Sequence, residues 1–201
     1  WFFNEKLLDF IKEYKPNLII VTGIFPLKKV IFSYANSKNI KMINFLTDNP
    51  FAKRLKTKSF LNNIKFYDYI FSTKSNIIQK LFSFNAKKVQ SIYYCYDPHW
   101  HRIPDKALES EISRFSCDIS FIGTGAKERL IYLTKLSNIE NIKLKIYGNN
   151  WEKFNIPHWE KCGEVLDNDF RLAMFYSKLS VCLLRKSSKD VSTQRTFEIA
   201  P

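Results

Sequence analysis

The chain has 201 residues, 45% hydrophobic and 25% charged, a composition that excludes a disordered tail and suffices for one large or two small cores. Its longest apolar runs, residues 18–21 and 181–184, fall far short of the roughly 20 residues that a membrane-crossing helix needs. No basic-then-apolar leader is visible at its start. The net charge is +13, and most of it lies early: residues 1–110 carry 18 basic and 8 acidic side chains, residues 111–201 carry 14 and 11. This excess fits an anionic partner; it equally fits the Lys-, Asn-, Ile- and Phe-rich usage of an AT-rich genome.

Taken in chain order, the pattern alternates helix and strand. Residues 3–14 place Phe3, Leu7, Leu8, Phe10 and Ile11 on one helical stripe, stopped by Pro16. Leu18 to Thr22 form a continuous β-branched run closed by Gly23, the pattern of a buried parallel strand. Pro26 is placed to open a helix running to Ser37. A second strand is expected over 41–47, ending on Asp48-Asn49-Pro50, and a third over 67–72. Between them, residues 51–65 read as basic and irregular, with a short helix as the alternative. Ser75 is the expected N-cap of a helix to Phe84, and a fourth strand follows over 89–95.

The texture then changes. Two prolines, His99, Trp100, His101 and a charged stretch make 97–116 the expected connection. After it the alternation restarts: strand 118–122, helix 126–136, strand 142–147, a loop over 149–160, a short strand 162–165, a helix from Asp167 as cap to Tyr176, strand 179–184, and a helix start near Gln194. Alternation on both sides of a connection predicts an α/β protein with two Rossmann-like parallel-sheet domains, residues 1–110 and 111–201. The first lacks an opening strand and the second ends inside a helix, so both are expected to be truncated.

Three clusters bear chemistry. In open parallel sheets ligands bind beyond the carboxyl ends of the strands. There, residues 121–129 carry Gly123, Thr124 and Gly125 between a strand and a helix, with Lys127 and Arg129 adding charge, a loop suited to a phosphate at a helix start. Glu128 replaces the third glycine of a dinucleotide fingerprint, and no Walker sequence follows. Residues 192–199 set Arg195 and Glu198 three apart on one helix face: the guanidinium can fork onto a diphosphate and the carboxylate can accept both ribose hydroxyls. Asp190 lies eight residues before Glu198, a spacing of acidic pairs in sugar-nucleotide transferases. Asp48, just past a strand of the first domain, is the candidate catalytic base. Lys53, Arg54, Lys56 and Lys58 form the densest basic group. The four cysteines lack metal-ligand spacing and read as reduced, mostly buried thiols of a cytosolic protein, with no metal site. His99 and His101 read as packing or solvated residues.

The order of these segments resembles the CgeB-type (spore maturation) glycosyltransferase-like proteins of the two-domain GT-B fold. The matching residues are 45–50, 67–73, Tyr96-Asp97-Pro98, 118–123 with Arg129, Lys145-Ile146-Tyr147-Gly148 with Trp151, Gly163-Glu164-Val165, and Arg195-Thr196-Phe197-Glu198-Ile199. They cover about residues 41–201 in the family's order, and the last block is the most specific. The family's glycine-rich stretch after that block is absent here. The resemblance implies a bacterial, cytoplasmic enzyme that moves a sugar from a nucleotide-sugar donor, a substrate rather than a cofactor, to an unknown protein, glycan or lipid-linked acceptor. It places the donor mostly in the second domain and the acceptor in the first. Glu198 would hold the ribose, Arg195 and the 123–129 loop the diphosphate, and Tyr147, Gly148 and Val165 would lie near base or ribose. The basic first domain would suit an anionic acceptor or peripheral contact with an anionic inner membrane face. The competing reading is a non-catalytic nucleotide- or sugar-phosphate-binding protein. Nucleic acid is not expected, because no base-stacking motif is present.

Overall fold

The computed structural model describes residues 2–53, 55–104, 106, 108–184 and 192–199. Among these the chain divides into two units, residues 2–93, and residues 94–184 with 192–199. Each is built around a four-stranded parallel sheet.

The first unit runs α1 (Phe2–Tyr14), β1 (Leu18–Thr22), α2 (Lys29–Ser37), β2 (Lys41–Leu46), α3 (Lys58–Asn63) with a 3-10 turn over Ile64–Phe66, β3 (Tyr69–Ser72), a 3-10 turn over Ser75–Ile77 leading into α4 (Ile78–Phe82), and β4 (Val89–Ser91). Strand order is β1-β2-β3-β4. Alternation works on β2, where Met42, Asn44 and Leu46 point into the core while Lys41 faces water. Ile31, Phe32 and Ala35 of α2 close over them with Phe60, Tyr67 and Leu81. Asn44 is fully buried, and its amide donates to the carbonyls of Val21 and Gly23, both at 3.0 Å, tying the end of β1 to its neighbour. Asp68 staples the strand starts. It accepts from the Met42 amide at 2.9 Å and from the Lys87 ammonium at 3.0 Å.

Several expectations change here. β1 is not buried: it is the sheet edge, with Leu18 and Ile20 exposed. Only Ile11 of the α1 stripe is buried; Phe3 and Phe10 stand in solvent. Pro26 lies outside α2, whose cap is Lys28, and Ser75 opens a 3-10 turn capped by Lys74.

The second unit runs α5 (Glu109–Phe115), β5 (Cys117–Ile122), α6 (Lys127–Leu136), β6 (Leu144–Tyr147), a 3-10 turn over Trp151–Lys153, β7 (Trp159–Lys161), α7 (Asp167–Phe175), β8 (Ser177–Val181) and α8 (Gln194–Glu198). Strand order is β7-β6-β5-β8. The chain therefore moves outward from β5 to β7 and then returns to the other side of β5. The order reverses between β5 and β8, which makes their carboxyl ends the switch point where open α/β sheets form a crevice.

Both sheet faces are covered. Phe121, Leu144 and Ile146 pack under α6 with Leu133, Trp151 and Trp159. Ile122 and Tyr147 pack on the other face with Phe115, Leu172 and Ala173. Residues 109–115, expected as connection, form α5 and bury Phe115. β7 falls at 159–161 rather than 162–165, anchored by the Trp159 indole, which donates to the Leu133 carbonyl at 3.1 Å. Asp167 is the first residue of α7, not its cap; Leu166 is. Lys145 on β6 is buried, and its ammonium donates to the Arg114 carbonyl near the end of α5. A helix's last carbonyls lack intrahelical partners, so they answer a cation well. Asp118 repeats the stapling role of Asp68, accepting from the Lys143 amide and the Lys178 ammonium, each at 2.7 Å.

Candidate functional site

Sequence-singled residues meet in two groups, both attached to the carboxyl end of the second sheet. The first is the pair of loops leaving β5 and β6. The Gly123 amide donates to the Tyr147 carbonyl at 2.9 Å, and the Gly125 amide to the Asn149 carbonyl at 2.7 Å. The Trp151 indole donates to the Gly123 carbonyl at 2.7 Å. The loops touch so closely that two glycines are obligatory. A Cβ on Gly148, which has φ +120°, would lie 2.5 Å from the Gly123 carbonyl oxygen, and one on Gly125 would lie 2.7 Å from that of Asn150. Their want of a side chain thus serves contact between loops.

Arg129 belongs to the same assembly. It is buried, stacks 5.1 Å above the Phe121 ring, donates to the Thr124 carbonyl, and reaches the Leu183 carbonyl at 3.5 Å. The guanidinium clamps the 123–125 loop to the segment leaving β8. Thr124 and Gly125 stay partly exposed at the start of α6, with Lys127 exposed beside them. Tyr147 turns its ring into the core under α7, and burial pushes its phenol far above the usual range, so it stays protonated. Val165 is buried in that core too. Cys162 beside it is pushed up to about 11, first by burial and then by Glu160.

The second group forms on α8. Arg195 pairs with Glu198 at 2.8 Å, and its guanidinium carbon sits 4.0 Å over the Phe170 ring of α7. Burial lowers the Arg195 pKa, opposed by the charge of Glu198. The other Glu198 oxygen lies 3.7 Å from Nε2 of His101, and the two side chains are only 10% and 13% exposed. His101 is held by a turn: its Nδ1 accepts from the Asp97 amide at 2.8 Å, and its own amide donates to the Asp97 carbonyl at 2.8 Å. A small cavity of about 70 Å³ opens on His101 and Glu198, lined also by Arg102, Arg171, Met174 and Ile199. A space of that size has room for waters or hydroxyl groups beside Glu198.

The end of β8 links the groups. Leu183 carries the carbonyl that Arg129 reaches, while Cys182 contacts Thr193, the cap of α8, at 3.3 Å. Asp48 lies in the other unit, exposed on a bend two residues beyond β2. Lys53, Lys56 and Lys58 are exposed; Arg54 and Asp190 lie outside the described residues. Of the cysteines only Cys117 is buried, and Cys95 is exposed. Among the described residues no three of His, Cys, Asp and Glu gather in a metal-holding cluster, and no helix is long and apolar enough to cross a membrane.

Sequence reasoning missed His101 as a partner of Glu198. The signal available was the Asp97-Pro98 turn followed by a histidine at i+4 from Asp97, which can close back on the turn's amide.

No family model matches the sequence, and no curated protein matches it. Among solved structures, the fold is similar to that of an alpha-glucosyltransferase in complex with UDP and a 13-mer DNA containing a central A:G mismatch. The TM-score is 0.53 at 14% identity, over 98% of this chain and 60% of that one. The chain thus spans about 60% of that structure's length, and the likeness is one of fold.

Proposed function

We propose that the chain forms the core of a GT-B glycosyltransferase of the CgeB-like kind. It transfers a sugar from a nucleoside-diphosphate sugar to an acceptor, with the first unit serving the acceptor and the second the donor. The observation that carries this reading is that the 123–125 loop at the start of α6 and the helix bearing the Arg195–Glu198 pair are both tied to the segment leaving β8, at the carboxyl end of one sheet. The fold likeness to a glucosyltransferase whose structure contains UDP supports it.

In this mechanism the departing nucleoside diphosphate carries the developing charge. The amides opening α6, Thr124, Lys127 and the remaining N–H donors of Arg195 meet that charge, so the reading invokes no cofactor besides the donor substrate. Glu198 accepts from the ribose hydroxyls. Arg129 positions the loop from behind, and Gly148 and Val165 shape the floor. Asp48 takes the acceptor hydroxyl's proton. The basic first unit favours an anionic acceptor or an anionic membrane face of the cytoplasm.

The test is release of nucleoside diphosphate from a panel of nucleotide sugars. The reading predicts release that is lost in Glu198→Ala. Tight binding without release in the full-length protein favours the non-catalytic alternative. Salt-sensitive binding to DNA with no response to nucleotide sugars contradicts both.

A further inference from the structure

The turn over Asp97–Arg102 is placed to do more than join elements. The Asp97 amide donates to Nδ1 of His101 at 2.8 Å, so that nitrogen holds a lone pair and the ring proton sits on Nε2. Nε2 then faces the Glu198 oxygen that Arg195 does not take, 3.7 Å away, while Arg195 holds the other at 2.8 Å. The ring is steadied by an edge-on contact with Phe170, 6.5 Å between centroids, the same ring on which Arg195 stacks. Arg195 thus holds one oxygen of the carboxylate that borders the small cavity, and the Nε2–H of His101 faces the other from a distance just beyond a hydrogen bond. A carboxylate bonded on one side and flanked by a donor on the other has fewer rotamers open to it before a ligand arrives, which is how a binding group gains selectivity.

We propose that His101 is a positioning residue for the donor site: as the neutral Nε2–H tautomer it orients Glu198 so that the carboxylate reads the ribose hydroxyls. This rests on the ribose reading of Glu198 given above. The ligand class it selects is the ribonucleoside diphosphate over its 2′-deoxy counterpart.

Two substitutions separate the halves of the imidazole. His101→Asn keeps an acceptor near Nδ1 for the Asp97 amide and removes the group facing Glu198. His101→Gln keeps an N–H near Nε2 and removes the acceptor. Titration of UDP and 2′-deoxy-UDP into the full chain by calorimetry reads the outcome. Wild type should prefer UDP. Glu198→Ala should abolish that preference, and His101→Asn should reduce it about tenfold while His101→Gln stays within about threefold, the scale of one charged hydrogen-bond partner. Thermal denaturation should show the reverse order of damage.

If Glu198→Ala leaves the preference intact, or wild type shows none, the ribose reading fails and takes this inference with it. If Glu198→Ala abolishes the preference but both His101 variants match wild type, or both lose it equally, the ribose reading stands and the positioning role is overturned. Nitrogen-15 shifts of His101 in the ligand-free protein supply an independent check. The Nε2–H tautomer agrees with the proposal; the Nδ1–H tautomer contradicts it.

Discussion

Gly148 and Gly163 separate two reasons for glycine. Both have positive φ, +120° and +77°, but a Cβ on Gly148 meets backbone at 2.5 Å whereas one on Gly163 meets nothing within 4 Å. Gly163→Ala should therefore cost only backbone strain, about 1 kcal/mol, while Gly148→Ala adds a clash that the Gly123 loop must yield to and should cost about 3 kcal/mol or more. Chemical denaturation checks the pair; equal costs would mean that the loops part freely. Cys162 gives a second residue-level prediction. Its thiol, pushed up to about 11 by burial, is protonated at neutral pH. Alkylation by iodoacetamide should be slow at pH 8 and accelerate toward pH 11, because the thiolate is the nucleophile. A rate at pH 8 equal to that of an unfolded control would contradict the burial.

At the scale of elements, one aspartate in each sheet does the same work. Burial alone would raise the Asp68 carboxyl, but the Met42 amide and the Lys87 ammonium outweigh it and hold the group low. The Lys143 amide and then the Lys178 ammonium lower Asp118 in the same way. A lowered carboxyl contributes stability that is present above the ordinary carboxylate range, near 4, and is lost as pH falls through the depressed value. Asp68→Asn should cost about 1 kcal/mol at pH 7, discounted for its partial exposure, and the gap from wild type should close below pH 4. A gap that ignores pH would show that the carboxylate's charge is not what holds the strand starts. The alternation of elements was legible because short apolar-rich segments such as residues 18–22 and 118–122 end on glycine. β7 was not, since Trp-Glu-Lys offers one apolar residue and gains its place from the indole's bond across to α6. Arg195 and Glu198 were legible as a helical i,i+3 pair. The inward turn of Tyr147 and the internal use of Arg129 were not, because both depend on which sheet face a neighbouring helix covers.

At the scale of the molecule, two parallel sheets of four strands share one chain, and the second reverses its strand order between β5 and β8. The proposed function requires a nucleoside-diphosphate sugar to bind at the carboxyl end of that second sheet. Amide chemical-shift mapping of the full chain, titrated with UDP-glucose and with ADP- and GDP-sugars, tests it most directly. One of these donors should shift the amides of residues 123–127, 148–149 and 193–198 together, and the wave of shifts should vanish in Glu198→Ala. Shifts confined to the basic residues 53–58, or none from any nucleotide sugar, would contradict it.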